Sequence, residues 1–216
     1  MTFPFLSLSI FIPLLAGLII LLLPARFKGL VRGIALGAAA ITLLLSIIIY
    51  ARYDTAAGGY QFIEHLPWVP ALGISYYVGV DGISAPLVLL AGIVVFCGVL
   101  VSWKVEERIN EFFAFLLFLG TSVLGVFASL DLFQLFFFFE LAVFPKYLMI
   151  IIWGSPKTRE YGGMKLTLYL FLGSVIALVG ALAIYFGSGL QTFDMLALEK
   201  AGFATEFQRL WFPFVF

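Results

Sequence analysis

Long apolar runs separated by short polar segments account for most of the chain. A helix needs about 20 mostly apolar residues to cross the hydrocarbon layer of a membrane, and six of the runs are that long. These runs cover roughly 3–23, 30–50, 82–103, 112–130, 131–153 and 166–187. A seventh run, LWFPFVF, begins near Leu210 and stops with the chain, so we expect an amino-terminal fragment of a longer protein. The pattern predicts an all-α fold, a polytopic transmembrane helix bundle with six complete spans and the start of a seventh.

The distribution of lysine and arginine over the connections predicts how the bundle lies in the membrane. Eight of these cations fall in the odd-numbered connections and three in the even-numbered ones. Cytoplasmic loops carry the excess of such residues, so the odd connections are expected inside the cell and the amino terminus outside. The first apolar run lacks the basic flank of a cleavable signal, and we expect it to remain as a permanent span.

The longest connection between the predicted spans, residues 51–81, is rich in aromatic residues, and we expect it to form an ordered external cover on the helices. Its one histidine, His65, is predicted to be a surface residue, because a metal site needs several converging ligands. Gly29, Gly33 and Gly37 recur every four residues at the start of the second span. This spacing places small residues on one helix face and predicts close helix packing there.

The composition agrees with a membrane protein and excludes several kinds of site. Hydrophobic residues make up 63% of the chain and charged residues 11%, against about 45–50% and about 25% in an average soluble domain. Positive and negative side chains balance at 12 each, so there is no basic field to attract nucleic acid. One cysteine, Cys97, and one histidine cannot build a disulfide framework, a four-cysteine iron–sulfur site or a zinc site.

Two aspartates stand at predicted helix starts. Asp81 precedes the third span in GVDGIS, with Ser84 three residues further on, and Asp131 opens the fifth span. A carboxylate in this position accepts hydrogen bonds from the free amides of the first helical turn. The fourth and fifth spans are separated by almost nothing, so their turn must be satisfied locally. Both aspartates are therefore predicted to have a structural, capping role.

Glu140 follows four consecutive phenylalanines in the fifth span. Counting about 1.5 Å per residue, it lies about 14 Å from Asp131 and about 20 Å from Trp153, near the middle of the bilayer. Insertion scales assign a cost of about 2.5–3.5 kcal/mol to a carboxylate at that depth. Burial favours the neutral carboxyl group and a nearby cation favours the ionised one, so its protonation would follow its partner. We predict a proton-relay element; the alternative is a neutral carboxyl group in a packing hydrogen bond.

Three further residues are candidates for the same site. Pro145, five residues after Glu140, frees the carbonyl of Leu141 and predicts a kinked or locally opened helix, either beside a cavity or for packing alone. Lys146 is turned about 120° from Glu140 and lies about 9 Å nearer the cytoplasm, so it is a candidate for a cytoplasmic half-channel. Lys165, at the cytoplasmic start of the sixth span, is a candidate for the proton path or a positive-inside anchor.

Four segments of the sequence together resemble a known family. They are GVDGISAPLVLL, FFAFLLFLGTSVLGVFASLDLFQLFFFFELAVFPKYLMIIIWG, MKLTLYLFLGS and GSGLQTFDM. They are similar to the antiporter-like, proton-translocating membrane subunits of respiratory complex I, the NADH:quinone oxidoreductase. Within these subunits the resemblance is to the M-type, called subunit 4 in mitochondria, and it runs in order from about residue 3 to the end. Its most specific part is the aromatic run with Glu140, Pro145, Tyr147 and the IIWG exit.

The resemblance implies a 14-helix antiporter-like fold with two inverted five-helix repeats, each containing a broken helix. Residues 1–111 would then form an amino-terminal membrane region of three spans, and 112–216 the first part of the proton-translocating repeat. In the family, the glutamate matching Glu140 pairs with a lysine of the seventh helix, which here lies beyond Phe216. The lysine matching Lys165 belongs to a candidate internal proton path. Lys146 stands where the family commonly has methionine, so the resemblance assigns it no role.

The resemblance also implies that this chain binds no cofactor, because FMN, the iron–sulfur clusters and quinone belong in or between other subunits. The implied partners are the other membrane-arm subunits of complex I, and the implied location is a bacterial inner membrane. Three alternatives stay open: a subunit of a multisubunit cation/proton antiporter, the membrane arm of a membrane-bound hydrogenase, and a structural scaffold with an incidental Glu140. Gene neighbours would distinguish the first two alternatives from complex I.

Overall fold

A computed structural model of the protein describes residues 3–24 and 26–215. Its helices and strands follow one another as α1 (Phe5–Leu22), α2 (Lys28–Arg52), β1 (Gln61–Val69), β2 (Ile74–Val80), α3 (Ser84–Val101), α4 (Ile109–Ala128), α5 (Leu132–Trp153), α6 (Arg159–Ser188), α7 (Met195–Glu199) and α8 (Thr205–Val215). Within the described residues, α1 to α6 are long and apolar enough to cross a membrane. The prediction of six spans in a helical bundle is confirmed.

Helix α4 is the centre of the bundle, with α1, α2, α3 and α5 packed around it. Its side chains Phe113 and Leu117 are completely buried, and Leu124 is nearly so. Burying a phenylalanine or leucine side chain stabilises a fold by about 1.5–3 kcal/mol in water, but lipid is as apolar as these side chains. Close packing of complementary shapes therefore holds these helices together.

Glycines on the buried faces allow this close packing. A Cβ atom added to Gly125 of α4 would lie 2.4 Å from the ring of Phe138 in α5. Added to Gly120, it would lie 2.6 Å from Val95 of α3. Because real Cβ atoms do not approach other atoms so closely, only glycine lets the neighbouring side chains occupy these positions.

The glycines that the sequence singled out for packing have a different environment. A Cβ atom added to Gly29, Gly33 or Gly37 would meet nothing within 4 Å. All three lie on the exposed side of α2, so the prediction of close packing at these positions within the chain is wrong. Periodic spacing identified one face of the helix, but only the arrangement of the neighbouring helices determines whether that face is covered.

The connection between α2 and α3 contains an antiparallel β-hairpin, which the sequence analysis did not predict. Its strands pair from Gln61 opposite Val80 to Val69 opposite Ile74. At the turn, Gly73 has a φ of 66°, a left-handed conformation that glycine adopts without strain. Strand β2 packs on α4 and α5 and β1 on α1, so the expectation of an ordered cover on the helices is confirmed.

The chain after α6 folds back onto the bundle. Helix α7 is a short segment of five residues, and α8 packs against α6. A Cβ atom added to Gly180 of α6 would lie 2.6 Å from Val215, so the contact between these two helices is close. The apolar run that was expected to begin a seventh span therefore lies in α8.

We expect Gly125→Ala to destabilise the protein by about 1–3 kcal/mol, because the added methyl group has no room beside the ring of Phe138. The measurement is thermal unfolding of the purified protein in detergent. Gly37→Ala is the matched control: it adds the same methyl group to a helix where no atom lies within 4 Å, and alanine favours a helix by about 0.5–1 kcal/mol. Equal losses in the two variants would contradict the close approach of α4 and α5.

Candidate functional site

The short turn between α4 and α5 fixes the position of α5 through backbone hydrogen bonds on both sides. On one side, Leu130 N donates to the carbonyl of Tyr77 in β2 at 2.9 Å. On the other, Leu132 N donates to Phe193 O and Met195 N donates to Leu130 O, both at 2.9 Å. The start of α5 is thereby joined to the hairpin and to the segment before α7.

Asp131 begins α5 and is fully buried. Its Oδ1 accepts from Gln134 N in the first turn of α5, and its Oδ2 accepts from Ser75 N in β2, both at 3.0 Å. Burial raises the pKa of this carboxyl group, the hydrogen bonds oppose that rise, and the charge of Asp194 adds to it. Asp131 therefore caps α5 and also attaches the hairpin to the bundle, a contact that its sequence position alone did not indicate.

Gln134 makes a second contact between α5 and the hairpin, and sequence reasoning did not single it out. Its side chain is 2% exposed, and its Oε1 accepts from Tyr77 N at 2.7 Å. The available signal was a polar residue one turn after the capping aspartate, in an otherwise apolar run. Two buried side chains of α5 therefore bind backbone amides of β2.

Glu140 lies two turns further into α5, about 12 Å along the helix from Leu132 and about 20 Å from Trp153. The residue is partly buried, and its Oε1 is covered without a hydrogen-bond partner among the described residues. Phe138 packs against Gly125 of α4, and Glu140 is turned about 160° around the helix from Phe138. The carboxyl group therefore projects away from α4.

Helix α5 runs without interruption through Pro145, which is buried. Proline has no amide hydrogen, so the carbonyl of Leu141 receives no helical hydrogen bond from it. The helix does not break at Pro145, since it is continuous from Leu132 to Trp153, and a kink at this residue stays a prediction. This carbonyl group lies one residue after Glu140.

The two candidate lysines do not pair with Glu140. Lys146 is partly buried in the carboxyl-terminal half of α5, and Lys165 is exposed on α6. The Nζ of Lys165 lies 3.4 Å from the hydroxyl of Tyr161 and 5.9 Å from the ring centroid of Tyr169. Within residues 3–24 and 26–215, no cation lies within 4 Å of the carboxyl group of Glu140.

Side-chain carboxylates also accept hydrogen bonds from the first turns of α1 and α3. Asp81 Oδ1 accepts from Ile83 N at 3.0 Å and from Ser84 N at 2.7 Å. Burial works against the ionised form of Asp81, but the hydrogen bonds from Ser84 and Ile83 outweigh it and lower the pKa. At α1, the carboxylate comes from the hairpin: Glu64 accepts from Leu6 N at 3.0 Å and from Ser7 N at 3.2 Å. Nothing in the sequence around α1 indicated this distant cap.

Comparisons with known proteins match the chain to membrane subunits of ion-translocating complexes. The family described as "NADH:quinone oxidoreductase/Mrp antiporter, TM" matches residues 129–216. NAD(P)H-quinone oxidoreductase chain 4-2 of Synechocystis sp. is 40% identical over 197 residues, which are 91% of this chain and 35% of that protein. Over residues 129–216 the chain is similar to this family of antiporter-like membrane subunits. It spans about a third of the length of the curated relatives it matches.

Solved structures of this antiporter-like family share the fold. A chain of respiratory complex I from Thermus thermophilus superposes with a TM-score of 0.84 and 28% identity, covering 97% of this chain and 43% of that one. A chain of the Mrp complex from Dietzia sp. superposes with a TM-score of 0.66 over 85% of this chain and 20% of that one. At 18% identity, the second match shows the fold alone. The resemblance to subunit 4 of complex I is confirmed by the chain 4 relatives.

We expect Asp131→Asn to loosen the hairpin without removing the cap of α5. The amide keeps one oxygen for Gln134 N, but its NH₂ group replaces the oxygen that accepts from Ser75 N. The loss of this buried hydrogen bond should lower the opening free energy of β2 by about 1–3 kcal/mol. Hydrogen exchange of the Ser75 amide measures the change.

Asp54→Asn is the control for this exchange experiment, since Asp54 caps an exposed turn before the hairpin through Ala56 N and Ala57 N. It should leave the protection of Ser75 unchanged. Unchanged protection of Ser75 in Asp131→Asn itself would show that Asp131 does not hold β2.

Proposed function

We propose that this chain is part of a proton-translocating membrane-arm subunit of an NADH:quinone oxidoreductase, in which Glu140 receives and releases protons in the middle of the membrane. The observation that supports this most directly is the carboxyl oxygen of Glu140, covered by protein, at mid-membrane depth and without a hydrogen-bond partner among the described residues. An ionisable group at that depth is costly to keep and is a functional candidate for that reason.

Its surroundings suit a group that changes its protonation state. The flanking phenylalanines exclude water and lower the local dielectric, so a charge brought near Glu140 acts on it strongly. The side chain projects away from α4, so a partner would reach it from another direction. In general, a nearby cation favours the ionised form of a buried carboxyl group and burial alone favours the neutral form, so a partner that moves can drive proton uptake and release.

Two lysines would extend this pathway towards the cytoplasm. Lys146 lies about 9 Å from Glu140 along α5, towards the carboxyl-terminal end of that helix. Lys165 lies on α6, near the rings of Tyr161 and Tyr169. Of the two, Lys146 has the weaker claim, since it is turned away from the carboxyl group around the helix. We assign Lys165 to the proton path and Lys146 to a supporting electrostatic role.

We further propose that the chain works beside other membrane-arm subunits, in a bacterial inner membrane with the amino terminus outside. Its relatives are named as chains of NAD(P)H-quinone oxidoreductases. Flavin, iron–sulfur clusters and quinone would belong to or between those other subunits. Among the described residues, no three histidine, cysteine, aspartate or glutamate side chains converge to hold a metal ion.

A second candidate is a subunit of a multisubunit cation/proton antiporter, because the matching family covers both kinds of complex. The 40% identity to an oxidoreductase chain against 18% to a chain of an Mrp complex favours the first.

We expect Glu140→Gln to abolish proton translocation by the assembled complex, because the amide keeps the size of the side chain but binds no proton at neutral pH. In everted membrane vesicles energised with NADH, acidification should fall at least about tenfold. The rate of NADH oxidation by quinone is measured in the same vesicles. Glu107→Gln, on the exposed connection after α3, should pump normally. Normal pumping by Glu140→Gln would exclude the relay role.

Replacing each lysine with methionine separates their contributions. Lys165→Met removes a charged group from the proposed path, and we expect slower translocation with the complex still assembled. Lys146→Met should reduce pumping by less than about threefold, since Lys146 is turned away from Glu140. The same vesicle assay reports both, and immunoblots of the membranes check assembly. A larger loss in Lys146→Met than in Lys165→Met would reverse the assignment.

A further inference from the structure

An apolar groove of about 1060 Å³ runs along the outside of the bundle between α1, the hairpin and α5. Its walls include Phe11 and Leu14 of α1, Trp68 of β1, and Phe137 and Leu141 of α5. Leu14 lies about 15 Å along α1 from Pro4, which lines the other end. The groove therefore begins beside the hairpin and continues along the helices towards the middle of the membrane.

Polar side chains lie only at the hairpin end of this groove. Three of them satisfy one another: Ser7 Oγ donates to Glu64 and lies 2.9 Å from the hydroxyl of Tyr76. A fourth, His65, lies with its ring centroid 4.6 Å from that of Tyr77. The fifth is Gln134, whose Nε2 has no hydrogen-bond partner among the described residues. The orientation of its amide is fixed, because Oε1 accepts from Tyr77 N and a backbone amide can only donate. Within the part of the chain that the structure describes, this amide nitrogen is a buried donor of the groove wall that lacks an acceptor.

This combination identifies the chemistry of a ligand. A buried donor without an acceptor costs about 1–3 kcal/mol, so the occupant should present an oxygen at the hairpin end and hydrocarbon along the rest. A transmembrane helix fits this poorly, because its backbone carbonyls are bonded within the helix. An acyl chain with its ester carbonyl fits both requirements, and the partial charges of the carbonyl oxygen and the amide hydrogens are complementary.

We propose that the groove binds one acyl chain of a glycerophospholipid, with the ester carbonyl oxygen accepting a hydrogen bond from Gln134 Nε2. The amide is covered by the apolar wall, so the ester reaches it by displacing a wall side chain. Phe137 is suited to this movement, since it is 41% exposed. The lipid would fill the space between α1 and α5 and support the same hairpin that Asp131 and Gln134 hold.

Photocrosslinking in the native complex tests where the lipid lies. The probe is a phosphatidylcholine with a diazirine on its acyl chain, and mass spectrometry maps the labelled residues. We expect labelling of α5 around Phe137 and Leu141. Leu14→Trp fills the groove and should reduce that labelling to background. Leu15→Trp adds the same side chain at the next position of α1, outside the groove and 57% exposed, and should leave it unchanged. Equal labelling in the two variants would overturn the proposal.

Competition in the unmodified protein tests the ester contact and needs no variant to fold. Unlabelled dioleoyl phosphatidylcholine should displace the probe at about a fivefold lower concentration than its diether analogue, which lacks the carbonyl acceptor. In Gln134→Met this ratio should fall to about one, whereas a merely structural defect would weaken both competitors alike. Equal competition by the two lipids in the unmodified protein, or capture of a protein by a photoreactive residue at Phe137, would overturn the proposal.

Discussion

The buried carboxylate of Asp131 is the contact on which the arrangement of the outer face depends. It accepts one hydrogen bond from the first turn of α5 and one from β2, so a single side chain caps a helix and holds a hairpin. Removing a carboxylate from water is costly, and the charge is tolerated because backbone amides solvate it from two sides.

The position of Glu140 follows from this attachment. With the start of α5 fixed by Asp131, Gln134 and the backbone bonds of Leu130, each later residue of the helix has a set depth and direction. The continuous helix through Pro145 carries this geometry across the membrane. The close contact of Gly125 with Phe138 sets the rotation of α5 about its axis. The proposed relay role needs such a rigid support, because proton transfer depends on distances between a few atoms.

The predictions from sequence were most accurate where a local rule applies. Apolar length identified the six spans, and the distance of Glu140 from each end of α5 followed from counting residues along a regular helix. The prediction of close packing failed for the glycines of α2, since spacing shows which residues share a face but not what covers it. Sequence reasoning also missed Gln134, because its contact is with the amide of Tyr77 in β2, which is distant in sequence. Residue spacing alone also did not show whether Lys146 or Lys165 contacts Glu140.

The sequence by itself determined that this protein crosses a membrane, how many spans it has in these residues, and that a carboxyl group lies inside the fifth span. These properties follow from transfer free energies and helical rise, which depend on each segment alone. Only the tertiary structure decided that Glu64 caps α1, that Asp131 and Gln134 hold β2, and that the groove beside α5 contains an unpaired donor. Those contacts join residues more than 50 positions apart, and their geometry is set by how the helices pack.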